Sequence, residues 1–301
     1  MNKKNEFANL YLIFNRHRLA NSETFVIRNC KFIFFYSKLV TKKTVKNILV
    51  NEIRLSSLFK KNDNVSDSLV IIPTYNEKEN IERMIRKVFS LSLPFHLLIV
   101  DDGSPDGTAS IVKNLILEFP DKLFLEERKG KLGLGTAYIH GFLWALQRRY
   151  ATIFEMDCDF SHNPDDLIRL HKACVDGADV AIGSRYVKGG KIENWPRGRV
   201  LMSYFASVYV RIILWLPIHD TTAGFKCYKR KVLERINFDE IKFVGYAFQI
   251  EMKYTAYKLG FKLVEVPITF IDRTEGESKM DKGIFKEAFW GVLKMRFKKI
   301  N

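Results

Sequence analysis

Asp157 and Asp159 flank Cys158 in the run IFEMDCDFSH, at the end of an apolar stretch. In an extended segment, side chains two residues apart share a face, so both carboxylates project together and Cys158 points the other way. Paired carboxylates suit a hard divalent cation. Mg2+ and Mn2+ prefer oxygen ligands and are commonly held by one or two carboxylates, with phosphate oxygens and water completing the shell. A metal-bound diphosphate is therefore the expected ligand. D-x-D spacing recurs by chance in chains of this length, so its weight comes from its neighbours.

Those neighbours are polar clusters at the ends of apolar runs. PTYNE supplies Pro73, Tyr75, Asn76 and Glu77, and a second run closes on Asp101 and Asp102. Tyr75 offers a flat surface for a base, and Asp102 can accept hydrogen bonds from ring or ribose donors. Alone, either cluster is turn chemistry; at adjacent sheet positions they point to a nucleotide pocket. KGKLGLGTA lacks the GK[ST] ending of a phosphate loop, and glycines 130, 133 and 135 do not make GxGxxG, so it reads as a tight turn opening a helix. His162 heads the turn SHNPDD and reads as a structural hydrogen-bonding residue. In IDRTEGESKM, Arg273 and Lys279 flank Gly276 in a turn-rich segment suited to closing over phosphates.

The elements that must position these groups are legible from Ser68 onward. SLVIIPTYNE and HLLIVDDGSPDGT read as buried strands ending in turns, and NIERMIRKVFSL and TASIVKNLILEF as the helices that follow them. Strand and helix continue to alternate through GTAYIHGFLWALQRR, TIFEMD, PDDLIRLHKAC and DVAIGSRY. That alternation predicts a mainly parallel sheet flanked by helices, with ligands at the carboxyl ends of its strands. GRVLMSYFASVYVRIILWL is strongly apolar but carries Arg199 and Arg211, which leaves a membrane-surface helix and a packed core helix as its two readings. GIFKEAFWGVLKMRFKKIN interleaves Phe285, Phe289, Trp290, Leu293 and Phe297 with lysines, a pattern that suits an anionic lipid surface.

Charge is unevenly spread. Of the net +15, residues 1–66 carry +9, from 13 Lys and Arg against 4 Asp and Glu. This basic, aromatic stretch has no sustained helical period and no clear secretory signal, and reads as an appended extension. An internal start at Val65 is a further expectation, because α/β domains commonly begin just before their first strand; a native peptide from residues 1–64 would refute it. Cys30, Cys158, Cys174 and Cys227 form no CxxC pair, which argues against zinc and a disulfide framework and fits a reducing cytoplasm.

Taken in order, PTYNEKENI, VDDGSPDGT, MDCDFSHNP, GSRYVKGG, DTTAGFK, GYAFQIEM and EVPITFIDRTEGESKM resemble the family 2 glycosyltransferases, specifically the polyprenyl-phosphate (dolichyl-phosphate) mannosyltransferases. The resemblance covers about residues 67–281, which sets a catalytic domain between the 1–66 extension and a basic amphipathic helix at 282–301. It implies a GT-A α/β fold and inverting transfer of mannose from GDP-mannose to a polyprenyl or dolichyl phosphate, with Mg2+ or Mn2+. By similarity, Pro73, Tyr75, Glu77, Val100 and Asp102 hold the nucleoside, and Asp157, Cys158 and Asp159 lie at the metal and diphosphate. Ser161 stands where the family commonly has Gln. Arg185, Arg273 and Lys279 face the diphosphate or acceptor phosphate, and Arg199 and Ser203 match acceptor-phosphate positions.

A lipid monophosphate is already anionic and attacks without a protein base, so metal and Arg or Lys clamps carry the electrostatic work. The acceptor's tail implies peripheral attachment at the cytoplasmic membrane face through residues 199–216 and 284–300. Two alternatives remain at this level. One is the same fold with another donor such as UDP-glucose, or with a hydroxyl acceptor served by a base such as Asp220. The other is a non-enzymatic membrane or nucleic-acid adaptor, although no RNP pattern supports nucleic acid as a partner.

Overall fold

Among the described residues, seven strands build the central sheet: β1 (Ser68–Thr74), β2 (His96–Asp101), β3 (Leu123–Glu127), β4 (Thr152–Glu155), β5 (Val180–Ser184), β7 (Lys226–Lys229) and β8 (Leu263–Pro267), in the order β3-β2-β1-β4-β7-β5-β8. A separate parallel pair joins β6 (Lys191–Glu193) to β9 (Thr269–Ile271). The computed structural model describes residues 66–272 and 283–298, within a compact unit spanning residues 65–301. Expectations for residues 1–65, and for Arg273 and Lys279, fall outside the described residues.

The sheet is parallel except for β7, which runs antiparallel to both β4 and β5. Strands β1 and β2 are almost continuously apolar because both their faces are covered. Alternate residues feed opposite layers. Val70, Ile72, Leu97 and Ile99 pack with α1 (Ile81–Phe89), α2 (Thr108–Glu118) and α4 (Asp166–Val175). Leu69, Ile71, Leu98 and Val100 pack with α3 (Leu134–Leu146) and with Phe248, on the later helix α7. The approach of α3 to β1 needs Gly141, where a Cβ would lie 2.7 Å from Ile71 Cγ2.

The parallel strands β1, β2, β4 and β5 all end at one edge, and the loops that leave them carry the candidate site. The later helices are α5 (Arg197–Leu214), α6 (Arg230–Arg235), α7 (Tyr246–Lys258) and α8 (Gly283–Arg296); α6 follows antiparallel β7 and so starts at the opposite edge, where Arg230 donates to the Leu146 carbonyl at 2.7 Å. Helix α5 buries only Ser207, Val210 and Leu214 of its 18 residues. It is therefore not a packed core helix: Leu201, Phe205 and Ile212 are exposed. Helix α8 meets it through Tyr209, whose ring stacks on Phe289 at 4.8 Å and whose hydroxyl donates to the Phe289 carbonyl at 3.0 Å. Among the described residues, no helix is long and apolar enough to cross a membrane.

Candidate active site

At the end of β1 and β2, Pro73 pairs in register with buried Val100 and Thr74 with Asp101. Asp101 is taken up by local structure, accepting from Thr74 Oγ1 at 2.8 Å and from the Ser104 amide and hydroxyl at 2.9 and 2.6 Å. Asp102 is different. Arg128 donates to its Oδ1 through Nε at 2.7 Å and lies within 2.6 Å of the same oxygen through Nη2. Lys131 Nζ sits 5.2 Å from the centre of the Tyr75 ring, a cation beside the flat surface expected to meet a base. Asn76, at φ 57°, turns the chain so that the Glu77 carbonyl accepts the Asn80 and Ile81 amides where α1 begins.

The acidic pair lies beyond the strand rather than in it. Strand β4 stops at Glu155, and the following residues bend through Phe160 at φ 57°, so the shared face expected of an extended segment is replaced by a loop. Both carboxylates still line one cavity, and the Cys158 side chain packs in the core. Tyr138 donates to Asp157 Oδ1 at 3.2 Å; the Ser161 hydroxyl and amide donate to Asp159 Oδ1 at 2.6 and 3.1 Å. Burial, and then repulsion from Asp159, push the Asp157 carboxyl up to about 7. Two mutually repelling carboxylates on one cavity fit a hard cation. Among the described residues no group of three or more His, Cys, Asp or Glu gathers to hold a metal, so phosphate oxygens and water would have to complete the shell. His162 is buried against Phe225 at 5.0 Å, and burial drives its ring down to about 4, leaving it neutral.

From the acids, a cavity of about 570 Å³ runs past Arg185, Arg199 and Ser203 to an apolar wall that includes Met202 and Phe205 of α5 and Val292 of α8. Arg199 and Ser203 are one helical turn apart on α5, so they share a face. Arg199 Nη1 donates to Asp272 at 3.1 and 3.2 Å, and its guanidinium covers the Trp195 ring at 4.1 Å. Asp220, considered above as a base, is fully buried and receives Arg185 Nε and Nη2 at 2.7 Å each and the Arg185 amide at 3.0 Å. It orients Arg185 and is not placed to take a proton from an acceptor. Asp220→Asn would thus impair the site whatever the acceptor, and does not separate phosphate from hydroxyl acceptors.

The cavity brings together Asp157, Asp159, Ser161, Arg185, Arg199 and Ser203. Pro73, Tyr75, Glu77, Val100 and Asp102 lie outside its lining, at the ends of the adjoining strands β1 and β2. Sequence reasoning missed Arg128, the Asp220 clamp and the cavity residue Gln249. Arg128 had a usable signal: it directly follows β3, at the same sheet edge as Asp102.

A mainly parallel sheet with an acidic pair, a clamped acid beside an aromatic surface and buried arginines at its carboxyl edge defines a GT-A α/β fold. The chain belongs to glycosyl transferase family 2, whose sequence profile matches residues 69–236. It is 47% identical over 230 residues to the polyprenol monophosphomannose synthase of Mycolicibacterium smegmatis, covering 75% of this chain and 87% of that protein. It is 45% identical over 226 residues to the undecaprenyl-phosphate mannosyltransferase of Micrococcus luteus, covering 75% and 92%. Among solved structures, a mannosyltransferase from Pyrobaculum calidifontis in complex with GDP-Man and Mn2+ shares the fold, with a TM-score of 0.51, 18% identity and coverage of 83% of this chain and 70% of that one.

Proposed function

We propose that this glycosyltransferase transfers mannose from GDP-mannose to a polyprenyl phosphate such as dolichyl phosphate, with inversion at the anomeric carbon. The observation that carries the proposal is one cavity that joins the acidic pair, two arginines and an apolar wall, and whose described lining holds no carboxylate besides Asp157 and Asp159. A hydroxyl acceptor needs a base; an anionic phosphate does not. The names and high coverage of the two bacterial relatives support mannose as the sugar and a polyprenyl phosphate as the acceptor.

In this reading Pro73, Tyr75, Glu77, Val100 and Asp102 hold the nucleoside. Asp157 and Asp159 hold Mg2+ or Mn2+, and Cys158, with its side chain in the core, contributes through its backbone. When bound, the metal neutralises charge developing on the leaving diphosphate. Ser161 orients Asp159, and Arg185, held by Asp220, faces the diphosphate. Arg199 and Ser203 receive the acceptor phosphate, with Asp272 yielding Arg199 to it. A phosphate oxygen then bonds to the anomeric carbon as the bond to the GDP oxygen breaks, and no proton has to move. Arg273 and Lys279 close over the phosphates. The domain assignment is likewise proposed: catalysis in 67–281, lipid contact through 282–301, and 1–66 as an extension.

The test is to incubate purified protein and membranes with a panel of labelled nucleotide sugars and identify the glycolipid. A mannosyl phospholipid formed only from GDP-mannose is expected. Labelled product from UDP-glucose alone, or a sugar on a hydroxyl, would reject the proposal.

A further inference from the structure

Gln249, on α7, is 2% exposed and lines the cavity that contains Asp157 and Arg185. Its Oε1 accepts a hydrogen bond from Lys226 Nζ. Lys226 is fully buried on β7 and forms an ion pair with Glu155 Oε2 at 2.8 Å, its register partner on β4. An ammonium group only donates, so the amide must turn its oxygen to Lys226 and its nitrogen away. That nitrogen, Nε2, is buried and has no hydrogen-bond partner among the described residues.

Gly224 borders the place it faces. A Cβ there would lie 3.7 Å from Gln249 Nε2, 3.8 Å from His162 Cε1 and 3.9 Å from Asp157 Oδ2. The amide donor and an acid of the metal pair thus flank one small space. A buried donor left without an acceptor is unfavourable, and this one differs from a donor sealed in the core in that Gln249 lines the cavity, where a ligand can supply the acceptor.

We propose that Gln249 Nε2 donates a hydrogen bond to a hydroxyl of the sugar being transferred, so that Gln249 is a specificity-determining residue whose amide is oriented by Lys226. This deepens the reading above and rests on it. Hydrogen-bonding sites discriminate strongly against analogues lacking the matched hydroxyl, because the protein donor is then left unpaired.

The experiment compares the full chain with Gln249→Leu and Gln249→Glu, using GDP-mannose and the 2-, 3-, 4- and 6-deoxymannose donors. Gln249→Glu keeps an oxygen for Lys226 but replaces the donor with a charged acceptor, whereas Gln249→Leu removes the donor without adding charge, so an effect shared by both variants is assigned to the lost donor. Both variants should lower kcat/KM for GDP-mannose by about 10- to 100-fold. That loss should vanish with one deoxy donor and persist with the others. GDP, which lacks the sugar, should bind both variants within about twofold of wild type by calorimetry, which also reports that the pocket is folded. An equal loss across all five donors, unchanged kinetics, or GDP affinity falling in parallel would overturn the inference. Wild-type turnover of a different nucleotide sugar, with none of GDP-mannose, would overturn the proposed donor instead. The role of Gln249 is then decided by the deoxy series of the sugar that is used.

Discussion

At the scale of single residues, Arg185 is fixed before any ligand arrives. Burial alone would raise the Asp220 carboxyl, but the charge and hydrogen bonds of Arg185 outweigh it and hold it below its usual value. Because the folded value is depressed, the stability Asp220 contributes is present above the unfolded carboxylate pKa of about 3.9 and is lost as pH falls through the folded value. Replacing one partner of such a buried pair costs about 3–5 kcal/mol, since the other charge is stranded. Asp220→Asn should therefore lower urea stability by that amount at pH 7, and the gap to wild type should narrow below about pH 4. A gap independent of pH would show that the pair does not carry the effect. The acidic pair permits a graded test. Asp159→Asn should abolish metal-dependent transfer, and turnover at the wild-type rate would reject Asp159 as a ligand. Ser161→Ala, which removes only the hydroxyl donating to Asp159, should raise the Mn2+ concentration for half-activity by about 10-fold, the lower end of the range for groups that orient metal ligands.

At the scale of elements, the contact between α3 and α7 shapes one side of the site. A Cβ on Gly135 would lie 2.7 Å from Phe248 Cγ and 3.0 Å from the Phe243 carbonyl, and Phe248 directly precedes Gln249. Gly135→Ala should destabilise the protein by about 1–3 kcal/mol through overpacking, read as a lowered melting temperature. An unchanged melting temperature would mean that α7 can shift freely, in conflict with this packing. The same elements explain what the sequence discloses. Strands β1 and β2 are legible because burial on both faces leaves them nearly unbroken apolar runs, and PTYNE and MDCDF stand out as polar groups at strand ends. Strand β7 is not legible: KCYK carries two lysines, and Lys226 makes sense in the interior only once Glu155 lies opposite it on β4. Pairings between distant segments were hidden for the same reason. Arg128 meets Asp102 from 26 residues away and Arg185 meets Asp220 from 35, distances over which no spacing rule links side chains. The apolar run 198–216 left its partner open, and only the fold shows that Leu201, Phe205 and Ile212 of α5 remain exposed.

At the scale of the whole molecule, the apolar wall of the cavity adjoins an apolar exterior, which sets how a lipid-borne acceptor would arrive. Leu201 and Phe205 on α5 are 56% and 62% exposed, and Phe289 and Trp290 on α8 are 47% and 56% exposed. Helix α5 also carries Arg197, Arg199 and Arg211, and α8 carries Lys294 and Arg296. Apolar side chains beside cations suit the interface of an anionic bilayer, where burial and charge attraction act together. We therefore expect the protein to cosediment with vesicles containing phosphatidylglycerol, and less so in high salt, as screening removes the electrostatic share but leaves apolar insertion. Leu201 and Trp290 are outside the cavity lining, so they separate attachment from catalysis. Full burial of each side chain is worth about 1.5–3 kcal/mol, so Leu201→Ser combined with Trp290→Ser should weaken partitioning by roughly 100-fold or more. The same double variant should keep its rate on a short, water-soluble polyprenyl phosphate while losing rate on an acceptor embedded in vesicles. Equal loss on both acceptors would assign these residues to the fold or the site. Undiminished cosedimentation, in this variant and after deletion of residues 284–300, would place membrane attachment elsewhere on the chain.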